Sequence, residues 1–204
     1  MNIIDVSSHN GNIAWDIAKN EIDGAIIRMG YRGYGRSGSI VMDKRFIYNW
    51  QECKRLGIPH EFYYFPTEIT DLECMEAAVW IIKTLDEYKD IPVTIWLDSE
   101  YSTATMSGRS DKLDCEHRSC MLISIKGFIQ SVRPEWTVGV YASNGWLKVK
   151  LNVMTLIEYN IPLWVARWGD KAPDYPCKWW QYTDKARLEC AAGRLDMSRE
   201  GIDA

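Results

Sequence analysis

Residues 93–100 read VTIWLDSE, an apolar run that ends in two carboxylates, Asp98 and Glu100. Because side chains alternate between the faces of a β-strand, both carboxylates are predicted to share one face, and Ser99 to lie on the other. The carboxylate face begins with Thr94 and Trp96, whereas Val93, Ile95 and Leu97 form a continuous aliphatic face. This pattern is typical of a strand that packs on helices on one side and lines a site on the other.

The spacing of the two carboxylates indicates a possible chemistry. With a rise of roughly 3.3 Å per residue, alternate carboxyl groups start about 6 to 7 Å apart. Cleavage of a glycosidic bond uses two such groups: one protonates the leaving oxygen, and the other stabilises the charge that develops on the sugar. A D-x-E sequence also occurs at solvated strand ends and helix starts, so the rest of the chain must distinguish these alternatives.

Predicted strands and helices alternate on both sides of this strand. Alternating apolar residues predict strands, and apolar residues at i, i+3 and i+4 predict helices. This alternation indicates parallel strands joined by helical crossovers. The predicted strands are 2–6, 25–29, 61–65 and 137–141, and the predicted helices are 13–22, 43–56, 70–88, 113–132 and the short segment 145–151.

The last third of the chain has fewer predicted helices. Strands are predicted at 163–167, 179–182 and 194–197, joined mostly by loops, because residues 170–178 are too short and too rich in proline for a crossover helix. The sequence therefore predicts an α/β fold in which residues 1–204 form a single domain. This domain is an irregular TIM-like β/α barrel of parallel strands, with helices reduced or missing after the later strands.

The glycine-rich segment GYRGYGRSGS, at residues 30–39, lacks the spacing and the ending of a phosphate-binding loop. It is predicted to be a mobile surface loop.

The composition excludes several classes of partner. The chain has 204 residues and a net charge of −4, so it lacks the basic surface that nucleic acid or an anionic membrane requires. No apolar segment is long enough to cross a membrane, and no signal peptide is apparent. We therefore expect a soluble protein made in the cytosol, with its six cysteines reduced.

Acidic residues are predicted to converge at one end of the barrel. In β/α barrels the site lies at the carboxyl ends of the strands. Asp5, Asp98, Glu100, Tyr141 and Asp196 all fall at such ends. No cluster of residues indicates a metal site, and the ten tryptophans and eleven tyrosines suit stacking against sugar rings.

Short motifs along nearly the whole chain resemble glycoside hydrolase family 25, the muramidases that include many phage and bacterial lysozymes. The matching motifs, in the order of the family, are DVSSHNG, IIRMGYRGYGRSG, DKRF, GIPHEFYYF, LDSE, VGVYASNGW, LWVARWG, WWQYT and RLDMS. The resemblance implies an irregular β/α barrel, and it implies cleavage of the β-1,4 bond between N-acetylmuramic acid and N-acetylglucosamine in peptidoglycan. The sequence departs from the family at Trp96, and at His60 and Glu61, where a glycine is common.

The acid cluster indicates roles for two residues. Glu100 is predicted to be the general acid, because burial and neighbouring carboxylates from Asp5, Asp98 and Asp196 would help it to keep a proton. Asp98 is a nucleophile, a base for water, or a group that orients the acetamido oxygen of the substrate. The family is usually discussed in terms of acetamido participation, but the residues themselves leave the three roles open.

Further residues are predicted to contact substrate, from the resemblance and from their places near strand ends: Tyr64, Tyr141, Trp168, Gln181 and Arg28. Tyr63 and Tyr64 face opposite ways, and the sequence does not decide which faces the site. Arg28 is a candidate ion-pair partner of one of the acids, or else part of a buried structural pair. His9 is interpreted as stabilising its turn.

The expected partner is bacterial cell-wall peptidoglycan, bound by a monomer without a cofactor and without membrane insertion. Two alternatives remain: a hydrolase of chitin-like N-acetylglucosamine polymers, and a catalytically silent carbohydrate-binding barrel. The four acids argue against the silent barrel. We expect an endolysin-like enzyme that is made in the cytosol and reaches the cell wall after release or lysis.

Overall fold

A computed structural model of the chain describes residues 1–88 and 91–202. Within these residues, nine strands form one sheet and six α-helices cover it. The strands are β1 (Ile3–Val6), β2 (Gly24–Arg32), β3 (Ile40–Met42), β4 (His60–Phe65), β5 (Thr94–Asp98), β6 (Thr137–Ser143), β7 (Leu163–Ala166), β8 (Trp179–Ala186) and β9 (Leu195–Glu200). The helices are α1 (Trp15–Ala18), α2 (Phe46–Leu56), α3 (Asp71–Thr84), α4 (Cys115–Val132), α5 (Asn144–Val149) and α6 (Val153–Glu158).

Eight of these strands close into a barrel. The order around the barrel is β1, β2, β4, β5, β6, β7, β8 and β9, and β9 pairs with β1. Long helices follow β4 and β5, short helices follow β6, and only loops join β7 to β8 and β8 to β9. The predicted TIM-like barrel with reduced later helices is confirmed.

The last strand corrects one expectation. Strands β1, β2 and β4 to β8 are parallel, but β9 runs antiparallel to both of its neighbours. The link from β8 to β9 contains no helix, and without a crossover a strand can pair with the preceding one only in the antiparallel sense. Asp196 therefore lies at the start of β9, and this start is at the same end of the barrel as the carboxyl ends of the other strands.

The two faces of β5 pack as the alternation predicts. Ile95 and Leu97 join the core between the barrel and the helices, whereas Trp96 is fully buried inside the barrel. The neighbouring Gly139 makes room for this indole, because a Cβ at residue 139 would lie 2.3 Å from Cζ3 of Trp96. The barrel interior is largely aromatic and contains Ile3, Ile26, Tyr63, Trp96, Trp164 and Trp179, with Tyr141 packed against them.

The glycine-rich segment is partly regular, not a loop throughout. β2 continues to Arg32, and β3 returns antiparallel to it, so that residues 33–39 form the connection of a hairpin. Arg32 fixes this hairpin because its buried guanidinium donates to the carbonyl of Gly38 and pairs with Glu68.

Two predicted helices are shorter in the structure. The helix predicted at 13–22 is only α1, because Ile13 instead forms a β-bridge with Ala191. The helix predicted at 70–88 is α3 followed by a 3₁₀ turn at Asp86–Tyr88. The side chain of Thr70 accepts from the backbone N–H of Glu73 and so caps α3.

The described residues contain no helix with the length and apolarity needed to cross a bilayer. All six cysteines are free, and four of them are buried.

Candidate active site

A cavity of about 490 Å³ opens at the end of the barrel where β1, β2 and β4 to β8 end and β9 begins. The cavity is lined by Asp5, Ser7, His9, Asn10, Arg28, Tyr34, Tyr63, Phe65, Asp98, Glu100, Tyr101, Ser102, Tyr141, Trp164, Trp168, Gln181, Asp184 and Asp196. Five of these residues are acids and seven are aromatic, so the cavity combines carboxyl groups with flat apolar walls.

Four acids converge here from three parts of the barrel. Asp5 of β1 and Asp196 of β9 are directly paired in the sheet, and Asp98 ends β5. Glu100 follows two residues later and lines the same cavity. The convergence that was predicted from the sequence is therefore present in the geometry.

The cluster raises the pKa of each of its members. Burial is the largest cause for both Asp5 and Asp98, and it raises their pKa values well above the ordinary range. Neighbouring carboxylates add to both shifts: chiefly Asp196 acts on Asp5, and chiefly Glu100 acts on Asp98. Four acids packed in this way cannot all be ionised at low cost, so the cluster retains protons that an exposed carboxyl would lose.

Glu100 differs from Asp98 in its environment. Its side chain is accessible from the open cavity, but the cavity walls enclose its carboxyl and raise its pKa, and Asp196 raises it further. Burial and the charge of Asp184 raise the pKa of Asp196 in the same direction. Glu100 is therefore both reachable by a ligand and disposed to carry a proton.

Asp98 has an unsatisfied oxygen. Its side chain is 8% exposed, and its Oδ1 has no hydrogen-bond partner among the described residues. Buried polar atoms in folded proteins almost always have partners. An acceptor left free at the wall of a cavity is therefore well placed to receive a donor from a ligand.

Gln181 connects three of the predicted residues. Its Nε2 donates to Oδ2 of Asp5 at 2.9 Å, and its Oε1 accepts from the hydroxyl of Tyr141 at 3.0 Å and from the indole of Trp168 at 3.1 Å. These bonds fix the orientation of the amide and hold Trp168, a largely exposed side chain, at the rim of the cavity.

The structure places Tyr64 away from the cavity, which corrects its prediction as a substrate contact. Tyr64 is fully buried between the barrel and α3, where its hydroxyl donates to Glu68 at 2.9 Å and its ring packs on Trp80. Tyr63 has the opposite parity on β4, and its side chain lines the cavity. Tyr63 is therefore the residue that faces the site.

Arg28 lines the cavity but is paired with an acid outside the cluster. Its Nε and Nη2 lie 2.7 and 2.6 Å from Oδ2 of Asp43, and Nη2 also donates to Ser8 at 3.1 Å. Burial would raise the pKa of Asp43, but backbone hydrogen bonds from Arg45 and Ser8, together with Arg28, lower it. Arg28 therefore supports the turn that follows β1 and leaves the four acids without a direct counter-ion from its guanidinium.

Several lining residues were missed in the sequence. Tyr34 reaches the cavity from the β2–β3 hairpin, and Tyr101 and Ser102 follow Glu100 directly. The sequence contains one signal that could have identified Tyr101 as a lining residue, namely its position directly after Glu100. Asp184 could not be found from alternation, because the pairing of β8 with β9 is irregular on both sides of Thr183. Among residues 1–88 and 91–202, no three His, Cys, Asp or Glu side chains are placed to hold a metal ion.

Comparison with known families settles the relationship that the motifs suggested. A family model described as glycosyl hydrolases family 25 matches residues 4–190 of the chain. The chain belongs to glycosyl hydrolase family 25. The match includes Asp5, Asp98 and Glu100, and ends before Asp196.

Solved structures with the same fold come from several bacteria. The modular autolysin LytC from Streptococcus pneumoniae, determined with a synthetic peptidoglycan ligand, has a TM-score of 0.78 and 25% identity, over 97% of this chain and 46% of LytC. The spore cortex lytic enzyme SleM from Clostridium perfringens has a TM-score of 0.77 and 15% identity, over 100% of this chain and 67% of SleM. The lysozyme from Streptomyces coelicolor has a TM-score of 0.71 and 20% identity, over 100% of this chain and 93% of the lysozyme.

The chain spans less than half the length of LytC. A search of curated protein sequences found no match. Membership of family 25 therefore rests on the family model, and the solved structures support the barrel fold.

Proposed function

We propose that this chain is an N-acetylmuramidase that cleaves the β-1,4 bond between N-acetylmuramic acid and N-acetylglucosamine in bacterial peptidoglycan. The observation that carries the proposal is that Asp98 and Glu100 line one acidic, aromatic cavity, close enough for Glu100 to raise the pKa of Asp98. Membership of family 25 supports the choice of reaction. The LytC structure supports the choice of substrate, since that protein was determined with a peptidoglycan ligand.

Glu100 is proposed to be the general acid. It is accessible from the cavity, and its enclosure together with Asp196 raises its pKa, so it can hold a proton for the leaving oxygen. Transfer of this proton to the glycosidic oxygen lets the bond to the anomeric carbon break, and the leaving sugar departs with a neutral hydroxyl group. The resulting Glu100 carboxylate can then take a proton from the water that completes hydrolysis.

Asp98 is proposed to orient the acetamido group of the N-acetylmuramic acid residue. Its buried, unpartnered Oδ1 is a suitable acceptor for the acetamide N–H. An N–H held in this way directs the acetamide oxygen to the anomeric carbon, where it forms a bond as the glycosidic bond breaks. Water then opens this cyclic intermediate, so the configuration at the anomeric carbon is retained.

Asp5 and Asp196 are proposed to supply the neighbouring carboxyl groups that raise the pKa values in the cluster. Their paired positions on β1 and β9 bring their negative charge close to Asp98 and Glu100. Gln181 holds Asp5, and Tyr63, Tyr141 and Trp168 provide surfaces for the sugar rings. Arg28 is proposed to shape the cavity through Asp43, without a direct bond to substrate.

Digestion of purified peptidoglycan tests the reaction and the mechanism together. Reduction of the products followed by mass analysis should find the new reducing ends on muramic acid. NMR of the first products should show the β-anomer, which corresponds to retention. New reducing ends on glucosamine would contradict the muramidase proposal, release of the α-anomer would contradict acetamide participation, and faster release from chitin than from peptidoglycan would favour the chitin-like alternative.

An endolysin-like role, with synthesis in the cytosol and access to the wall at lysis, is proposed from the solved structures of two endolysins with this fold. These are ply40 from a Listeria phage, at 17% identity, and CTP1L, at 20% identity. Expression of the chain in a bacterial cytosol, with and without a pore-forming protein, tests this role. Lysis that depends on the pore supports it, whereas lysis without the pore contradicts it. The proposed monomer is tested by light scattering on the purified protein.

A further inference from the structure

The charge of the cavity is not balanced by the residues that line it. Five lining residues are acids, and the single lining guanidinium belongs to Arg28. That guanidinium is directed to Asp43, at 2.6 to 2.7 Å, and not to the acids. The excess of carboxyl groups therefore remains available to a ligand.

Asp184 is the member of this group that the proposed chemistry does not use. It is half-buried on β8 and lines the same cavity as Glu100 and Asp196. The ion pairs of the described residues do not include Asp184, and no described side chain donates a hydrogen bond to it. A carboxylate in this position attracts a cation and repels an anion.

The free Oδ1 of Asp98 is an independent sign that the cavity is built for ligand donors. It is buried, belongs to a residue that lines the cavity, and accepts from no described residue. Asp98 is assigned to the acetamide of the muramic acid residue under the proposed function. Asp184 is a second acidic acceptor in the same cavity, and it can contact a different part of the glycan strand.

Resting on the proposed muramidase function, we propose that Asp184 is a specificity residue that favours glycan strands whose N-acetylglucosamine residues have lost the acetyl group. Removal of this acetyl group leaves a glucosamine with an ammonium group, whose charge is complementary to Asp184. The acetamide of the neighbouring muramic acid residue is unchanged, so the chemistry assigned to Asp98 is unaffected. Such strands are the substrate class that the unpaired Asp184 in the cavity fits.

The test compares two sets of glycan strands from which the stem peptides have been removed, so that glucosamine is the only source of an amine. One set is fully N-acetylated, and the other is de-N-acetylated at glucosamine only. The ratio of kcat/KM for the de-N-acetylated strands to kcat/KM for the acetylated strands is measured at mildly acidic pH, where the amine is protonated. We expect this ratio to exceed one in the wild type and to fall about three- to fivefold in Asp184→Asn.

Glu158→Gln is the matched control, because it removes one exposed carboxylate from the end of α6, outside the cavity. The ratio should be unchanged in this variant, and the wild-type ratio should fall towards one as salt is added. A wild-type ratio at or below one, or an equal ratio in Asp184→Asn, would overturn the proposal.

Binding keeps this test separate from the test of catalysis. Calorimetry with Glu100→Gln measures the affinity for both sets of strands without turnover. The specificity is supported if Glu100→Gln binds the de-N-acetylated strands more tightly than the acetylated strands and the double variant Glu100→Gln/Asp184→Asn does not. This result does not depend on the rate of hydrolysis. Absence of hydrolysis by the wild type, with this binding preference intact, would contradict the muramidase proposal alone.

Discussion

The indole nitrogen of Trp96 donates a hydrogen bond of 2.6 Å to Oε2 of Glu61 inside the barrel, at the end opposite the cavity. The indole of Trp179 donates to the same oxygen at 2.9 Å, and Nζ of Lys178 lies 2.6 Å from Oε1. Trp96 and Glu61 are both positions at which the sequence departs from the family motifs. The contact explains why these two departures occur together: the large indole needs an acceptor, and Glu61 provides it.

Replacement of Glu61 should destabilise the barrel without altering the cavity. Glu61→Ala leaves two indole N–H groups and Lys178 without their acceptor, and we expect a loss of about 2 to 4 kcal/mol in the free energy of unfolding. Urea denaturation measures the loss, with Glu158→Gln as the control for removal of an exposed carboxylate. An unchanged denaturation midpoint would show that the buried bonds add nothing to stability.

The two adjacent tyrosines of β4 should give opposite results. Tyr64→Phe removes a buried hydrogen bond to Glu68 and should cost about 1 kcal/mol of stability, with little effect on hydrolysis. Tyr63→Ala removes a wall of the cavity and should raise KM several-fold. Denaturation and steady-state kinetics on soluble glycan strands measure both variants. A rise in KM for Tyr64→Phe that exceeds the rise for Tyr63→Ala would reverse the assignment of faces.

Removal of the proposed acid should stop turnover. Glu100→Gln preserves the size of the side chain but cannot deliver a proton, and we expect kcat to fall about 10³-fold or more. Asp98→Asn should lower kcat about 10²- to 10³-fold, because its amide oxygen still accepts an N–H but the negative charge is lost. Circular dichroism checks the fold of both variants. Wild-type turnover by Glu100→Gln would remove Glu100 from the mechanism.

Stability should depend on pH through the acid cluster. A raised pKa means that the folded state binds more protons than the unfolded state between the two pKa values, so stability falls as pH rises through that interval. Asp98→Asn removes one such group. We therefore expect Asp98→Asn to raise the Tm at neutral pH, and to flatten the decline in Tm as pH rises above the ordinary pKa of an aspartate, about 4.

Thermal unfolding at a series of pH values provides this comparison. The control is Asp174→Asn, since its ion pairs with Lys148 and Arg167 lower the pKa of Asp174 and should give the opposite trend. A Tm of Asp98→Asn below that of the wild type at neutral pH would contradict the predicted sign.

Arg109 should position one wall of the cavity. Its guanidinium pairs with Glu73 of α3 and packs against Gly38, where a Cβ would lie 2.2 Å from Nη1. Its backbone N–H donates to the carbonyl of Tyr34, which lines the cavity. We expect Arg109→Ala to raise KM several-fold with a smaller change in kcat.

Two variants separate this effect from a general loss of stability. Arg109→Lys keeps the charge and should recover part of the wild-type KM. Glu73→Gln breaks the same ion pair from the other side and should raise KM in the same direction. Equal losses in kcat and in the fraction of folded protein, with KM unchanged, would show that Arg109 contributes to stability alone.

The sequence predicted those features that depend on regular alternation. Asp98 ends β5 and Glu100, two residues beyond the strand, lines the same cavity, and Asp5 and Asp98 fall at the ends of parallel strands. Alternation alone could not orient Tyr63 and Tyr64, because aromatic residues precede and follow them on both faces of β4. Asp184 was missed because bulges interrupt β8, and the partner of Arg28 was missed because Asp43 comes from a turn.

The direction of β9 has a consequence for the biosynthesis of the protein. Asp5 acquires its neighbour Asp196 only when β9 inserts between β1 and β8, and those two aspartates are separated by nearly the whole described chain. During translation, β1 is therefore exposed along one edge until residues 195–200 have left the ribosome. The acid cluster cannot assemble before that moment. We therefore expect a nascent or prematurely terminated chain to be inert, and competence for the proposed hydrolysis to arise together with closure of the barrel.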